Sequence, residues 1–206
     1  MTRPFRQHTS TATLRSTMRR IIVGISGSTG AIYGVRLLEV LKEQTEIETH
    51  LVISSAARRT IGYELERSFE EVVGLADVVH DERDVSASIA SGSFLTDGMI
   101  VAPCSMRSLS AIANSLNDNL LTRAADVCLK ERRRLVLLAR ETPLHAGHLR
   151  LMLDCTNAGA VILPPCPAFY HRPSTILDVV DQTLGKALDQ FGVEAGLFQR
   201  WEGLPG

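Results

Sequence analysis

Several things are scarce in this chain, and each scarcity excludes a class of protein. Among its 206 residues, 22 Lys and Arg stand against 23 Asp and Glu, a formal charge of −1. No charge excess of either sign is available to hold nucleic acid or a membrane surface, so any anion site must be local. No apolar run approaches the roughly 18 residues that span a bilayer. The four cysteines (Cys104, Cys128, Cys155, Cys166) form no C-x-x-C pair. Reduced thiols in a cytoplasmic protein are expected rather than a disulfide framework. His145 and His148 stand three apart, but no third ligand type is nearby, so surface roles are expected and no metal. Residues 1–20 hold no Asp or Glu and no signal-type apolar core. Residues 1–18 are therefore expected to be a disordered extension ahead of a single domain, 19–206.

What the chain does have is alternation. Apolar runs at 20–26 (RIIVGIS), 49–53 (THLVI), 98–102 (GMIVA), 135–139 (LVLLA) and 160–163 (AVIL) predict strands buried on both faces. Helical patterns at 31–43, 56–65, 105–114, 119–132, 145–157 and 174–191 lie between and after them. Ser54 or Ser55 is the expected cap of the second helix and Ser174 of the last. Residues 68–96 are less regular, with a short helix at 70–75 and an apolar pair, Val78-Val79. Strands alternating with helices predict an α/β domain with a doubly wound, mainly parallel sheet.

Three turns then fall where a strand stops and a helix begins: 24–30 (GISGSTG), 103–105 (PCS) and 140–143 (RETP). In a parallel sheet these share the carboxyl edge, where α/β proteins bind ligands. The first turn lacks the lysine of a P-loop and misses G-x-G-x-x-G by one position. No acidic residue ends the second strand; Ser54-Ser55 stand there instead. That pattern suits a mononucleotide better than a dinucleotide, although a glycine turn alone fits a bare tight turn equally well. Ser105 is placed to cap a helix and face the crevice. Cys104 beside it reads as a small buried hydrophobe before it reads as a nucleophile. Arg123 and Lys130, seven apart, share one helix face, by default a solvated one. Arg140 can clamp phosphate, and Glu141 beside it can move a proton. Tyr170, in the turn 167–173, can bond a phosphate or simply pack.

Taken together, the segments GISGSTGAIYG, THLVIS, SGSF, PCSMRSLS, NLLTRAADVCLKERR, RETPLHAGHLRLM and PAFYHRP resemble the UbiX-type flavin prenyltransferases. These belong to the flavin-binding homo-oligomeric cysteine decarboxylase group. The resemblance implies a Rossmann- or flavodoxin-like three-layer sandwich. It implies that a dimethylallyl group passes from dimethylallyl phosphate to N5 and C6 of reduced FMN. The product, prenylated FMN, would serve a UbiD-type decarboxylase in ubiquinone biosynthesis or aromatic acid decarboxylation. By the same resemblance FMN meets Gly27, Ser28, Thr29, Ser54, Ser105, Met106, Arg107, Ser108 and Arg140. The prenyl phosphate meets Arg123, Lys130, Glu141, Tyr170 and Lys186. Glu141, Lys130 and Thr29 are implied to be catalytic, and the assembly to be a homododecamer with flavin between subunits.

Two residues depart from the family pattern. Thr29 stands where the family has Ser; it keeps the hydroxyl but restricts its rotamers. Lys186 stands where the family has Arg; it supplies charge without a bidentate fork. Two rival functions share the fold: an FMN-dependent decarboxylase of a cysteine-containing substrate, and a non-catalytic FMN-binding subunit. Trp201, near the carboxyl terminus, either covers the pocket or packs on the last helix.

Overall fold

The computed structural model describes residues 18–201 and 203. The expected extension at residues 1–18 lies outside these, Met18 excepted. Six strands are described: β1 (Arg19–Ile25), β2 (Ile47–Ile53), β3 (Val78–His80), β4 (Gly98–Cys104), β5 (Arg134–Ala139) and β6 (Val161–Ile162). Seven helices accompany them: α1 (Ala31–Lys42), α2 (Ser55–Glu64), α3 (Phe69–Val73), α4 (Met106–Ala113), α5 (Leu120–Lys130), α6 (Ala146–Ala158) and α7 (Ile176–Asp189). The strands form one sheet in the order β3-β2-β1-β4-β5-β6, and every pairing is parallel. That is the doubly wound order in which the chain reverses direction between β1 and β4.

Alternation along β1 separates two cores. Ile21, Val23 and Ile25 face α1 and α7, meeting Leu37, Leu38, Leu41, Leu184 and Leu188. Ile22 points the other way, with Met99, Val101, Leu121, Ala124 and Cys128, under α4 and α5. Each buried Ile, Val, Leu and Met among these contributes roughly 1.5–3 kcal/mol by leaving water. The sheet is thus covered on both faces, and the open ground is its edges.

Among the boundaries that differ from the sequence reading by a residue or more, two have a plain physical reason. The strand expected to stop at residue 102 runs on to Cys104, with a shift of register between Val101 and Cys104. Pro103 cannot donate to the ladder, and the shift accommodates it. The last helix is capped by Thr175, not Ser174. The Thr175 side chain accepts the Asp178 N–H at 3.1 Å, and the Asp178 carboxylate accepts the Thr175 N–H at 2.9 Å. That reciprocal box needs a three-residue spacing, which Thr175 has and Ser174 does not. The Ser174 hydroxyl instead becomes a further donor to Asp178, at 3.0 Å.

Candidate active site

The carboxyl ends of β1 and β4 meet at the reversal point, and a buried hydroxyl joins them. Ser26 Oγ donates to the Pro103 carbonyl at 2.9 Å and accepts the Ser105 N–H at 2.7 Å. Ser105, released by this contact into extended backbone, caps α4 by accepting the Ser108 N–H at 3.3 Å. Ser54 caps α2 by accepting the Ala57 N–H at 3.1 Å, and Asn119 caps α5 by accepting the Thr122 N–H at 3.0 Å. These helix starts surround a hollow of about 140 Å³ lined by Gly27, Ser54, Ser105, Arg107, Ser108 and Asn119, among others. Helix N-termini present unpaired N–H groups and the positive end of the macrodipole, so the hollow favours an anion. A larger hollow of about 360 Å³ adjoins it through Ser54 and is lined also by Arg58, Phe69, His80 and Glu82.

The N-terminus of α1 differs from its neighbours. Glu64 Oε2 accepts the N–H groups of both Gly30 and Ala31 at 2.9 Å. A carboxylate already holds the position at which a dinucleotide pyrophosphate rests in folds of this order. The anion site is thereby moved from α1 toward α2, α4 and α5. Gly27 is needed for a separate reason. A Cβ on it would lie 2.3 Å from Ala56 Cβ, so a side chain would force the loop off α2. Ser28 Oγ is buried with no protein partner, while Thr29 is exposed at the loop tip.

Arg140 follows β5 on the same edge, its N–H donating to the Cys104 carbonyl at 3.0 Å. Tyr33 stands close by on α1; burial pushes its hydroxyl pKa up, and the Arg140 charge works against that. Glu141 is exposed, with one carboxylate oxygen accepting the Thr142 N–H at 3.0 Å. Arg107 is exposed and donates to Asp118 at 3.2 Å, and Met106 is half-buried against the α4–α5 core.

The remaining sequence-predicted residues make other contacts within the chain. Arg123 donates to the Ala90 carbonyl at 3.1 Å and to Asp126 at 3.0 Å. Lys130 ends α5 beside Glu131 and Gly92. The start of α5 lines the anion hollow, and its 11 residues carry Lys130 about 16 Å away, toward the amino edge. Lys186, near the end of α7, stands 3.7 Å from Asp189. Tyr170 meets Trp201 edge-to-face at 5.8 Å. One chain therefore holds Lys130, at the far end of α5, apart from the carboxyl-edge loops.

The chain matches the Flavoprotein family profile over residues 9–187. It is 61% identical over 188 residues to the flavin prenyltransferase UbiX of Escherichia coli K12, covering 90% of this chain and all of that protein. A crystal structure of AnUbiX in complex with FMN and dimethylallyl pyrophosphate superposes with a TM-score of 0.88 at 52% identity, covering 91% of this chain and 99% of that one. A dodecameric FMN-dependent UbiX-like decarboxylase from Escherichia coli O157:H7 also reaches 0.88, at 49% identity, covering 89% of this chain and all of that one.

The chain belongs to the UbiX-type flavin prenyltransferases. It is a transferase, on the doubly wound parallel fold its sequence predicts. The residues fit a flavin mononucleotide. Ser28 holds an orphaned hydroxyl, the Gly27 loop lies against α2, and one anion hollow sits beside them. Cys104 is placed as a buried small side chain rather than as an exposed nucleophile. The thiol is wholly buried, its Sγ points to the Ser105 carbonyl at 3.8 Å, and burial pushes its pKa far up. His145 caps α6 by accepting the Gly147 N–H, its ring 3.6 Å from that of His148. Among the described residues no three His, Cys, Asp or Glu gather as a metal site, and no helix is long and apolar enough to cross a membrane.

Sequence reasoning missed Ser26, Glu64 and Tyr33. Ser26 left a signal, a hydroxyl ending an apolar run at a reversal point. Glu64 left none, because its partners lie 34 and 33 residues away in sequence.

Proposed function

We propose that this enzyme transfers the dimethylallyl group of dimethylallyl phosphate to reduced FMN, and that its active site is completed by other copies of the chain. The observation that supports the cofactor half is the hollow among the capped N-termini of α2, α4 and α5. It suits the FMN phosphate, with Ser54, Ser105, Met106, Arg107 and Ser108 around it and Gly27, Ser28, Thr29 and Arg140 along the flavin. When bound, reduced FMN supplies the electron-rich N5 and C6 that accept the prenyl carbons. The chain supplies charge and protons. Breaking the allylic C–O bond builds negative charge on the leaving phosphate, and Arg123, Lys130 and Lys186 stabilise it. Tyr170 donates a hydrogen bond to the same group. Glu141, exposed beside Arg140, holds or takes the proton exchanged with phosphate or with flavin C6. The Thr29 hydroxyl relays at the loop tip.

The separation of Lys130 from Glu141 supports an assembly in which a neighbouring copy brings the two together. The exposed apolar residues of α6, Leu149 and Leu153, fit burial against such a neighbour. A homododecamer is the state proposed. Its product goes to a UbiD-type decarboxylase, and three buried free thiols suit a cytoplasmic enzyme.

The test is to incubate the protein with FMN and dimethylallyl phosphate, reduce anaerobically and weigh the flavin; a second arm uses the pyrophosphate. A flavin heavier by one prenyl group is expected, and unchanged mass in both arms rejects the reading. Lys186→Ala is expected to raise the donor KM about tenfold, the scale of one charge-assisted hydrogen bond. An unchanged KM removes Lys186 from the phosphate site.

A further inference from the structure

The segment after α7 turns back along that helix and is held at three points. Gly185 has no side chain, and the Phe198 ring fills the space; a Cβ there would lie 2.3 Å from the ring. Arg200 sets both guanidinium nitrogens on Asp189, Nη2 to Oδ1 at 2.7 Å and Nη1 to Oδ2 at 3.1 Å. Trp201, at the end, meets Tyr170 edge-to-face. The middle contact involves a third group. Lys186 lies one turn before Asp189 and makes a looser ion pair with it, 3.7 Å from Oδ2 and longer than a hydrogen bond. The planar fork of Arg200 matches both carboxylate oxygens, and Lys186 stands off with half of its side chain exposed.

We infer that Arg200 is a positioning residue: its pairing with Asp189 docks the carboxyl-terminal segment and leaves Lys186 only loosely paired, available to hold the donor phosphate. The inference rests on the proposed placement of Lys186 at that phosphate. Its logic is a competition for one carboxylate. With Arg200 in place, Asp189 is neutralised by a better-shaped partner. Without Arg200, the same carboxylate turns to Lys186 and draws it away from phosphate. An arginine at position 186 would contest Asp189 with a fork of its own; a lysine yields.

The experiment uses the full-length enzyme with FMN and three variants: Arg200→Ala, Asp189→Asn and the double variant. Arg200→Ala is expected to raise the KM for dimethylallyl phosphate about tenfold with kcat unchanged. Asp189→Asn leaves KM near the starting value, because it removes the competitor. The double variant restores the KM lost in Arg200→Ala, a rescue that simple damage to the segment would not give. Trp201 is the one tryptophan of the chain, so its emission reports docking directly. All three variants are expected to shift that emission to the red and open it to iodide. An unchanged emission in Arg200→Ala, or a double variant no better than the single, overturns the inference. Should the unaltered enzyme prenylate no flavin, the functional reading fails first. Inorganic phosphate binding measured by calorimetry then tests the clamp alone: weakened in Arg200→Ala and restored in the double variant if the competition is real, equal in both if it is not.

Discussion

The buried hydroxyl of Ser26 accepts the backbone N–H of Ser105 at 2.7 Å, tying the end of β1 to the start of α4 across 79 residues of sequence. Ser26→Ala leaves that N–H without its partner at a half-buried position. The expected cost is about 1–3 kcal/mol, together with a weaker grip on FMN because Ser105 loses its fixed backbone. Urea unfolding and flavin titration read the two effects. Full stability with full FMN affinity would show that the contact is dispensable.

Glu64 carries a different expectation. Glu64→Ala frees two N–H groups at the start of α1, and about 1 kcal/mol of stability is expected to go with them. The vacated N-terminus also becomes an anion site competing with the hollow among α2, α4 and α5. Inorganic phosphate should then stabilise the variant against heat more than the unaltered protein. Equal stabilisation would mean that Glu64 does not divert the anion.

Much of this was legible in the sequence, and the reasons divide cleanly. The strands and their parallel pairing follow from apolar runs buried on both faces, and the helix starts at Ser54 or Ser55 and at Ser105 follow from short polar side chains before apolar periodicity. The edge on which 24–30, 103–105 and 140–143 converge follows from the parallel connection alone. What could not be read was any contact set by three-dimensional return. The Glu64 carboxylate on Gly30, the Arg200 fork on Asp189 and the Phe198 ring on Gly185 leave no periodic trace. Nor did motif order reveal that Lys130 and Glu141 stand at opposite ends of the molecule, since helix length, not spacing within a motif, separates them.

Thiol accessibility gives a third expectation. Cys166 is the exposed cysteine; Cys104, Cys128 and Cys155 are buried, and burial pushes the latter two thiols up to about 12 and about 11. Iodoacetamide should add one label to the folded protein, on Cys166, and four after denaturation, as read by intact mass. Cys104→Ala should keep its prenylation rate. Loss of that rate in a folded, FMN-loaded variant would reinstate the thiol as a reacting group.

Acid sensitivity gives a fourth. His80 Nε2 lies 3.0 Å from His50 Nδ1, and burial, aided by the neighbouring ring, lowers the His80 pKa below its ordinary 6.5, with Asp84 partly opposing. The folded chain thus binds this proton less tightly than the unfolded chain. The stability that His80 contributes is complete above pH 6.5 and is lost as pH falls toward its folded pKa. His80→Gln should flatten the decline of the urea midpoint below pH 6.5. An unchanged slope would place the titration elsewhere.

The length of α5 has a genetic consequence. Lys130 and Glu141 sit on opposite edges of one chain, so in the proposed assembly a working centre draws them from different copies. A cell carrying two defective alleles, Lys130→Ala and Glu141→Gln, would then build mixed particles in which about a quarter of the centres inherit both sound residues. Two silent genes would together restore growth that depends on the product, whereas either allele supplied twice would not.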